Sequence, residues 1–165
     1  MGDAINTKNV QRRELRFNSI AEVLAEAERL TSAEKAGKLK LLGNWSAGQV
    51  FGHLAAWANY PYDGYPSTLG RVPGWIKFIL KFKKNTYLND KLPQGIRIPK
   101  IEGGTTAIEA LPTEEGLARL RKAMQRLESA APTRDNPIFG PMTHEEWKKI
   151  QMRHAELHMG YLQPQ

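Results

Sequence analysis

Cysteine is absent from the 165 residues. That excludes disulfides, thiolate metal ligands and a protein thiol nucleophile, so any metal held here must take nitrogen and oxygen ligands. No uninterrupted apolar run approaches the roughly 18 residues that cross a bilayer. The first seventeen residues are polar and basic and contain no apolar stretch of the signal-peptide kind. A cytoplasmic location is therefore the expectation. A phosphate-binding glycine loop and a serine nucleophile elbow are also missing. No nucleic-acid-binding module is recognisable, so no nucleic-acid partner is expected. Strand-type alternation is scarce throughout.

What is present is an ordinary globular balance, with 41% hydrophobic and 25% charged residues, and a length that suits one domain over 1–165. The net charge of +7 is concentrated. Between Arg71 and Lys100 stand eight cations (Arg71, Lys77, Lys81, Lys83, Lys84, Lys91, Arg97, Lys100) and one anion, Asp90, so the remainder of the chain is neutral.

Apolar periodicity predicts four long helices. After a short extended piece over Arg12–Phe17, Asn18 or Ser19 caps a first helix to about Thr31, with Ile20, Val23, Leu24, Ala27 and Leu30 as its stripe. Residues 32–43 read as a lysine-rich connection. Ser46 and Gln49 form a capping box for a second helix bearing Val50, His53, Leu54 and Trp57 on one face. Pro61 is expected to end it near Tyr60. Trp75–Lys84 reads as a short amphipathic helix, followed by an irregular crossover punctuated by Pro93, Gly95, Pro99, Gly103 and Gly104. Thr113 is expected to cap a third long helix, whose seam is Leu117, Leu120, Met124 and Leu127. A second capping box, Thr143 to Glu146, opens a fourth, with the stripe Trp147, Ile150, His154, Leu157, His158 and Tyr161. The expected fold is an all-α four-helix bundle with a long crossover between helices 2 and 3. The short links should make helices 1 and 2, and 3 and 4, antiparallel neighbours. The long one lets helix 3 run parallel to helix 2.

Three of the four histidines fall on those apolar stripes. His154 and His158 are four apart, so their Cβ atoms lie about 6 Å apart on one helix face. His53 is on the neighbouring stripe. Two readings stand: hydrogen-bonded core histidines, or one set of three nitrogen ligands with an open position for water or substrate. Imidazole suits zinc, nickel, copper or iron alike. His154-Ala-Glu156-Leu-His158 is not the zincin motif, because Glu156 is two residues from each histidine and so about 200° round the helix. It reads as a solvated or salt-bridged surface residue. His144 reads as an exposed histidine at the start of the fourth helix. Trp45, Trp57, Trp75 and Trp147 read as core or rim packing, with Trp57 and Tyr60 able to line a pocket above His53.

The basic segment has three readings: a solvated lysine face, attraction of an anionic small-molecule substrate toward the site, and peripheral contact with an acidic membrane through Trp75, Ile76, Phe78, Ile79, Leu80 and Phe82 beside lysines. Its position after helix 2 would put it beside the mouth of the histidine site, with Trp75 or Phe78 over the apolar part of a substrate.

Asn44-Trp45-Ser46-Ala47-Gly48-Gln49-Val50-Phe51-Gly52-His53-Leu54 resembles the second helix of the DinB/YfiT-like superfamily, W-S-(six residues)-H-L. Met142–Trp147 followed by Arg153-His154-Ala155-Glu156-Leu157-His158 resembles its closing helix. Arg12–Phe17 and Leu42–Ser46 look like a bacterial branch of unknown function within it. The resemblance covers nearly the whole chain except the basic crossover. It implies a DinB-like bundle, a divalent metal such as zinc, nickel or iron on His53, His154 and His158, and frequent homodimers. By analogy it also implies a metal-dependent transferase or related activity using a low-molecular-weight thiol as cofactor. The alternative is a non-catalytic metal-binding or structural helical bundle.

Overall fold

A computed structural model of the chain describes residues 5–67, 74–95 and 105–165. Arg71, Arg97, Pro99, Lys100, Gly103 and Gly104 lie outside the described residues, as do the side chains of Ile76 and Lys77. The architecture is all-α, with six helices and one two-stranded ribbon among the described residues.

Helix α1 spans Ile20–Lys35, with the Ser19 hydroxyl accepting the Glu22 N–H as its cap. Ile20, Val23, Ala27 and Leu30 are buried, and Leu24 packs at the edge of the core. The helix outruns its expected end by a turn. It stops where Gly37 takes a left-handed φ of +67°, and the Gly37 and Lys38 N–H groups donate back to Glu34 and Ala33. This paired closure favours glycine at that position.

Helix α2 spans Ala47–Asp63 and opens with the Ser46–Gln49 capping box. It does not end before Pro61 but runs through it. A proline inside a helix leaves the carbonyl four residues back without its donor. Here that carbonyl belongs to Trp57, and Gln151 of the last helix donates its Nε2–H to it at 3.2 Å. A partner distant in sequence therefore removes the usual objection to the proline.

Helix α5, Thr113–Ser129, has its seam residues Leu117, Leu120, Met124 and Leu127 buried. Thr113 is its first helical residue and not the cap. The capping position is Pro112, which makes no side-chain cap bond; its fixed φ presets the entry into the helix. Helix α6, His144–Met159, opens with the Thr143–Glu146 capping box.

The bundle's closest pair is α2 with α5, which run parallel. Gly48 meets Gly116 at their starts, and Asp63 pairs with Arg126 near their ends. A Cβ on Gly48 would stand 2.1 Å from the Leu111 carbonyl oxygen, and one on Gly116 would stand 2.6 Å from the Gly48 carbonyl oxygen. Only glycine permits that approach. The helices joined by short links, α1 with α2 and α5 with α6, are antiparallel as expected but touch least among the long helices. They are not neighbours, because the crossover delivers α5 alongside α2 and the glycine contact draws the two together.

Two features have no counterpart in the sequence reading. Strands β1, Leu39–Leu41, and β2, Leu162–Pro164, pair antiparallel within what reads as a plain connection and a terminal tail. Helix α4, Lys84–Asn89, follows directly on α3, Gly74–Phe82, which is the expected short amphipathic helix; α4 itself lies where an irregular crossover was expected. Helix α4 is fixed to α6 by a Lys84–Glu146 ion pair at 2.7 Å and by buried Leu88. Among the described residues no helix is long and apolar enough to cross a membrane.

Candidate metal centre

His53 lies two turns into α2, and His154 and His158 lie in the second half of α6. Helices α2 and α6 are antiparallel: Trp45 meets His158, and Trp57 meets His154 and Gln151. The three imidazoles therefore share one level. One ring nitrogen from each lies within 4.8 Å of the others, and the His53 and His154 Nε2 atoms are 3.2 Å apart. Two nitrogens bound to a tetrahedral zinc at 2.0–2.1 Å stand roughly 3.3 Å apart. The first pair already has that edge, and a cation would draw His158 inward.

The tautomer of His53 is set. Its Nδ1–H donates to the Thr106 carbonyl at 2.9 Å, which leaves Nε2 as the acceptor of the 3.2 Å hydrogen bond from His154 Nε2. An outer hydrogen bond of this kind orients a metal-binding imidazole and raises its basicity. The acceptor comes from the return limb of the crossover, beside Ala107, whose φ of +60° makes it the one non-glycine residue in left-handed backbone among the described residues. That conformation costs on the order of 1–2 kcal/mol for an L-residue. It sits where the chain must turn its carbonyl onto His53.

Burial keeps the cluster neutral. Desolvation lowers the His53 pKa to about 4, with the Thr106 bond acting the other way. His154 and His158 are held well below the usual histidine value by desolvation, and then by the neighbouring imidazoles. Neutral imidazole is the form that binds metal. His53 is buried, whereas His154 and His158 keep part of their surface open.

Aromatic rings wall it. Trp45 stacks on His158 at 5.1 Å and 12° and lies 5.0 Å from His53. Trp57 packs edge-on to His154 at 5.6 Å, with Tyr60 against Trp57 and Tyr65 against Tyr60. Trp57 and Tyr60, read as packing residues able to line a pocket above His53, pack together beside His53 and His154. Trp75 and Phe78, expected near the mouth, face solvent on α3. Lys84 is tied to Glu146, eight residues before His154 and so roughly 12 Å along the helix axis.

The sequence model of a family described as "Protein of unknown function (DUF1569)" matches residues 9–165. The chain belongs to that family. No curated protein and no solved structure matches the chain significantly. The family description assigns no chemistry, so the DUF1569 chain has to be read from its own geometry.

Glu156 corrects the sequence reading. It does point away from the histidines, but it is buried rather than on the surface. The extended segment before α1 lies across that side of α6. Glu156 Oε1 accepts the Phe17 N–H at 2.6 Å and pairs with Arg153 at 3.1 Å, while Arg153 Nη2 donates to the Phe17 carbonyl at 2.5 Å. A cavity of about 230 Å³ adjoins them, bordered by Arg12, Lys91 and Gln94. His144 is likewise half-buried rather than free, because its Nε2–H donates to the Leu127 carbonyl and ties the start of α6 to α5. The Thr106 carbonyl is the functional group that sequence reasoning missed. A main-chain acceptor fifty-three positions from its donor leaves no signal in residue type.

Proposed function

We propose that this DUF1569 chain is a DinB/YfiT-like metal protein that holds a divalent transition metal on His53, His154 and His158. We further propose that it works as a metal-dependent transferase with a low-molecular-weight thiol as co-substrate. The observation that carries the reading is the convergence of three ring nitrogens within 4.8 Å of one another, with His53 Nε2 and His154 Nε2 3.2 Å apart. Three protein nitrogens and a free fourth position are the ligand pattern of a reactive centre, not of a closed structural one. When bound, such a metal acts as a Lewis acid and lowers the pKa of a coordinated thiol or water. The chain's own part is to keep the three imidazoles neutral by burial, to fix the His53 tautomer through Thr106, and to exclude bulk water with Trp45 and Trp57.

One observation favours the alternative, a non-catalytic metal-binding bundle. Among the described residues the ligand-capable group consists of the three histidines alone, and Glu156 is committed to Arg153 and Phe17. Among the described residues no carboxylate joins the three histidines as a proton carrier. The two readings separate in one series. Protein purified without a nickel column is offered zinc, nickel and iron in turn, beside His154→Ala, and bound metal is measured. The expected result is close to one equivalent in the wild type and loss in the variant. No uptake of any metal would end both readings. Uptake without thiol-dependent turnover of a panel of electrophiles would leave the non-catalytic one.

A further inference from the structure

Helix α3 is the part of the molecule that the bundle does not use. Trp75, Phe78, Ile79 and Phe82 follow the i, i+3, i+4, i+7 spacing that puts them on one helix face. In a core helix that face is buried. Here Trp75 is 67% exposed, Phe78 64%, Ile79 49% and Phe82 75%. Among the described residues α3 packs chiefly on α4, and Phe78 and Phe82 touch each other edge-on at 5.0 Å. The helix is nevertheless anchored, because α4 follows directly and is pinned to α6 through Lys84. A solvent-facing aromatic stripe of this kind marks a contact surface.

Charge indicates what it contacts. The segment 71–100 carries the whole net charge of the protein in sequence, +7, with Lys84 and Lys91 paired to Glu146 and Glu14. Lys81 and Lys83 are exposed on or beside α3 itself. A second copy docked stripe to stripe would bring two such segments together at short range, which like charges oppose. An anionic lipid surface satisfies both features at once. Lysines are attracted to acidic headgroups, each contributing about 1 kcal/mol near the surface, while tryptophan and phenylalanine enter the headgroup–acyl boundary. A fluid interface also demands no complementary groove.

We infer that α3 docks the protein peripherally on anionic membranes, with Trp75, Phe78, Ile79 and Phe82 inserted and Lys81 and Lys83 at the headgroups. This is independent of the metal reading. The test is sedimentation of the full chain with phosphatidylcholine vesicles, with and without phosphatidylglycerol. Binding is expected with the anionic vesicles and should weaken as added salt shortens the Debye length. Lys81→Glu with Lys83→Glu should lower affinity roughly tenfold or more. Trp75→Ser with Phe78→Ser and Phe82→Ser should abolish sedimentation without changing the melting temperature, since all three side chains are exposed. Brominated lipid should quench wild-type fluorescence, and Trp75→Phe should remove most of that quenching while still sedimenting. Failure to sediment with anionic vesicles at low salt overturns the inference, as does sedimentation that survives the triple substitution. A wild-type dimer that the triple substitution dissolves would assign the stripe to a second copy instead. Should the triple variant fail to fold, the Trp75→Phe quenching comparison decides alone.

Discussion

Helix α6 buries polar side chains on two opposite faces, and they behave differently. On one, Arg153 and Glu156 carry opposite charges, contact each other and bind both the N–H and the carbonyl of Phe17. On the other, His154 and His158 are neutral and, with His53, direct ring nitrogens toward one point. The first face turns its polarity on the N-terminal segment and holds it against the bundle, although Arg153 Nε and Glu156 Oε2 stay buried without a hydrogen-bond partner. The second gathers three ring nitrogens within 4.8 Å of one another. Polar groups inside a bundle are thus no mark of a site by themselves. What distinguishes a site is that groups able to give one ligand atom each converge within coordinating distance.

Perturbations should separate the two faces, and the largest effect belongs to the charged one. Glu156→Ala leaves the Arg153 guanidinium buried without its counter-charge and the Phe17 N–H without an acceptor, and a loss of roughly 3–5 kcal/mol is expected in urea unfolding. The protein that remains folded should still take up metal.

Acid should act on the other face. Folded His53 stays neutral down to about 4, whereas the unfolded chain takes up that proton near 6.5. The unfolded state then binds more protons, so stability is complete above pH 6.5 and falls as pH drops from there to about 4. His53 alone contributes on the order of 3 kcal/mol to that fall, and His154 and His158 are shifted in the same direction. Denaturant midpoints measured across pH 4–7 should show the slope in wild type and Glu156→Gln, and a shallower one in His154→Ala.

Metal supplies the third contrast. At a hundredfold excess over Kd, a ligand of the folded state adds about 2.7 kcal/mol. The melting temperature should rise accordingly in wild type and Glu156→Gln and not in His154→Ala. A chelator should return the protein to its metal-free midpoint without unfolding it, because Leu120, Met124 and Leu127 are buried independently of the site. The smallest effect is that of His154→Ala without metal. A partly open imidazole that holds no charge pair should cost about 1 kcal/mol.

Local chemistry made much of this legible in the chain. Ser46 with Gln49 and Thr143 with Glu146 mark helix starts because capping is decided within four residues. His53, His154 and His158 could be placed together because 3.6-residue periodicity fixes which residues share a face. Long-range partners hid the rest. Pro61 continues its helix only because Gln151 reaches Trp57, and Glu156 is buried only because Phe17 crosses it. Strands of three residues, such as Leu39–Leu41 and Leu162–Pro164, are too short to show a period. Pro112, rather than Thr113, sits at the cap of α5, where the Leu111 and Pro112 backbone lies against Gly48, a contact distant in sequence.

The acceptor that orients His53 is a main-chain oxygen, and this has a consequence for how such a centre can drift over generations. No single codon change at position 106 can delete it, since every amino acid brings the same carbonyl. Residue 106 is therefore free to vary in identity while its role persists. The vulnerability moves to the path of the backbone, to the left-handed turn at Ala107 and to the length of the crossover that delivers it. Insertions and deletions there, more than substitutions, are the changes that would silence the centre while all three histidines remain in place.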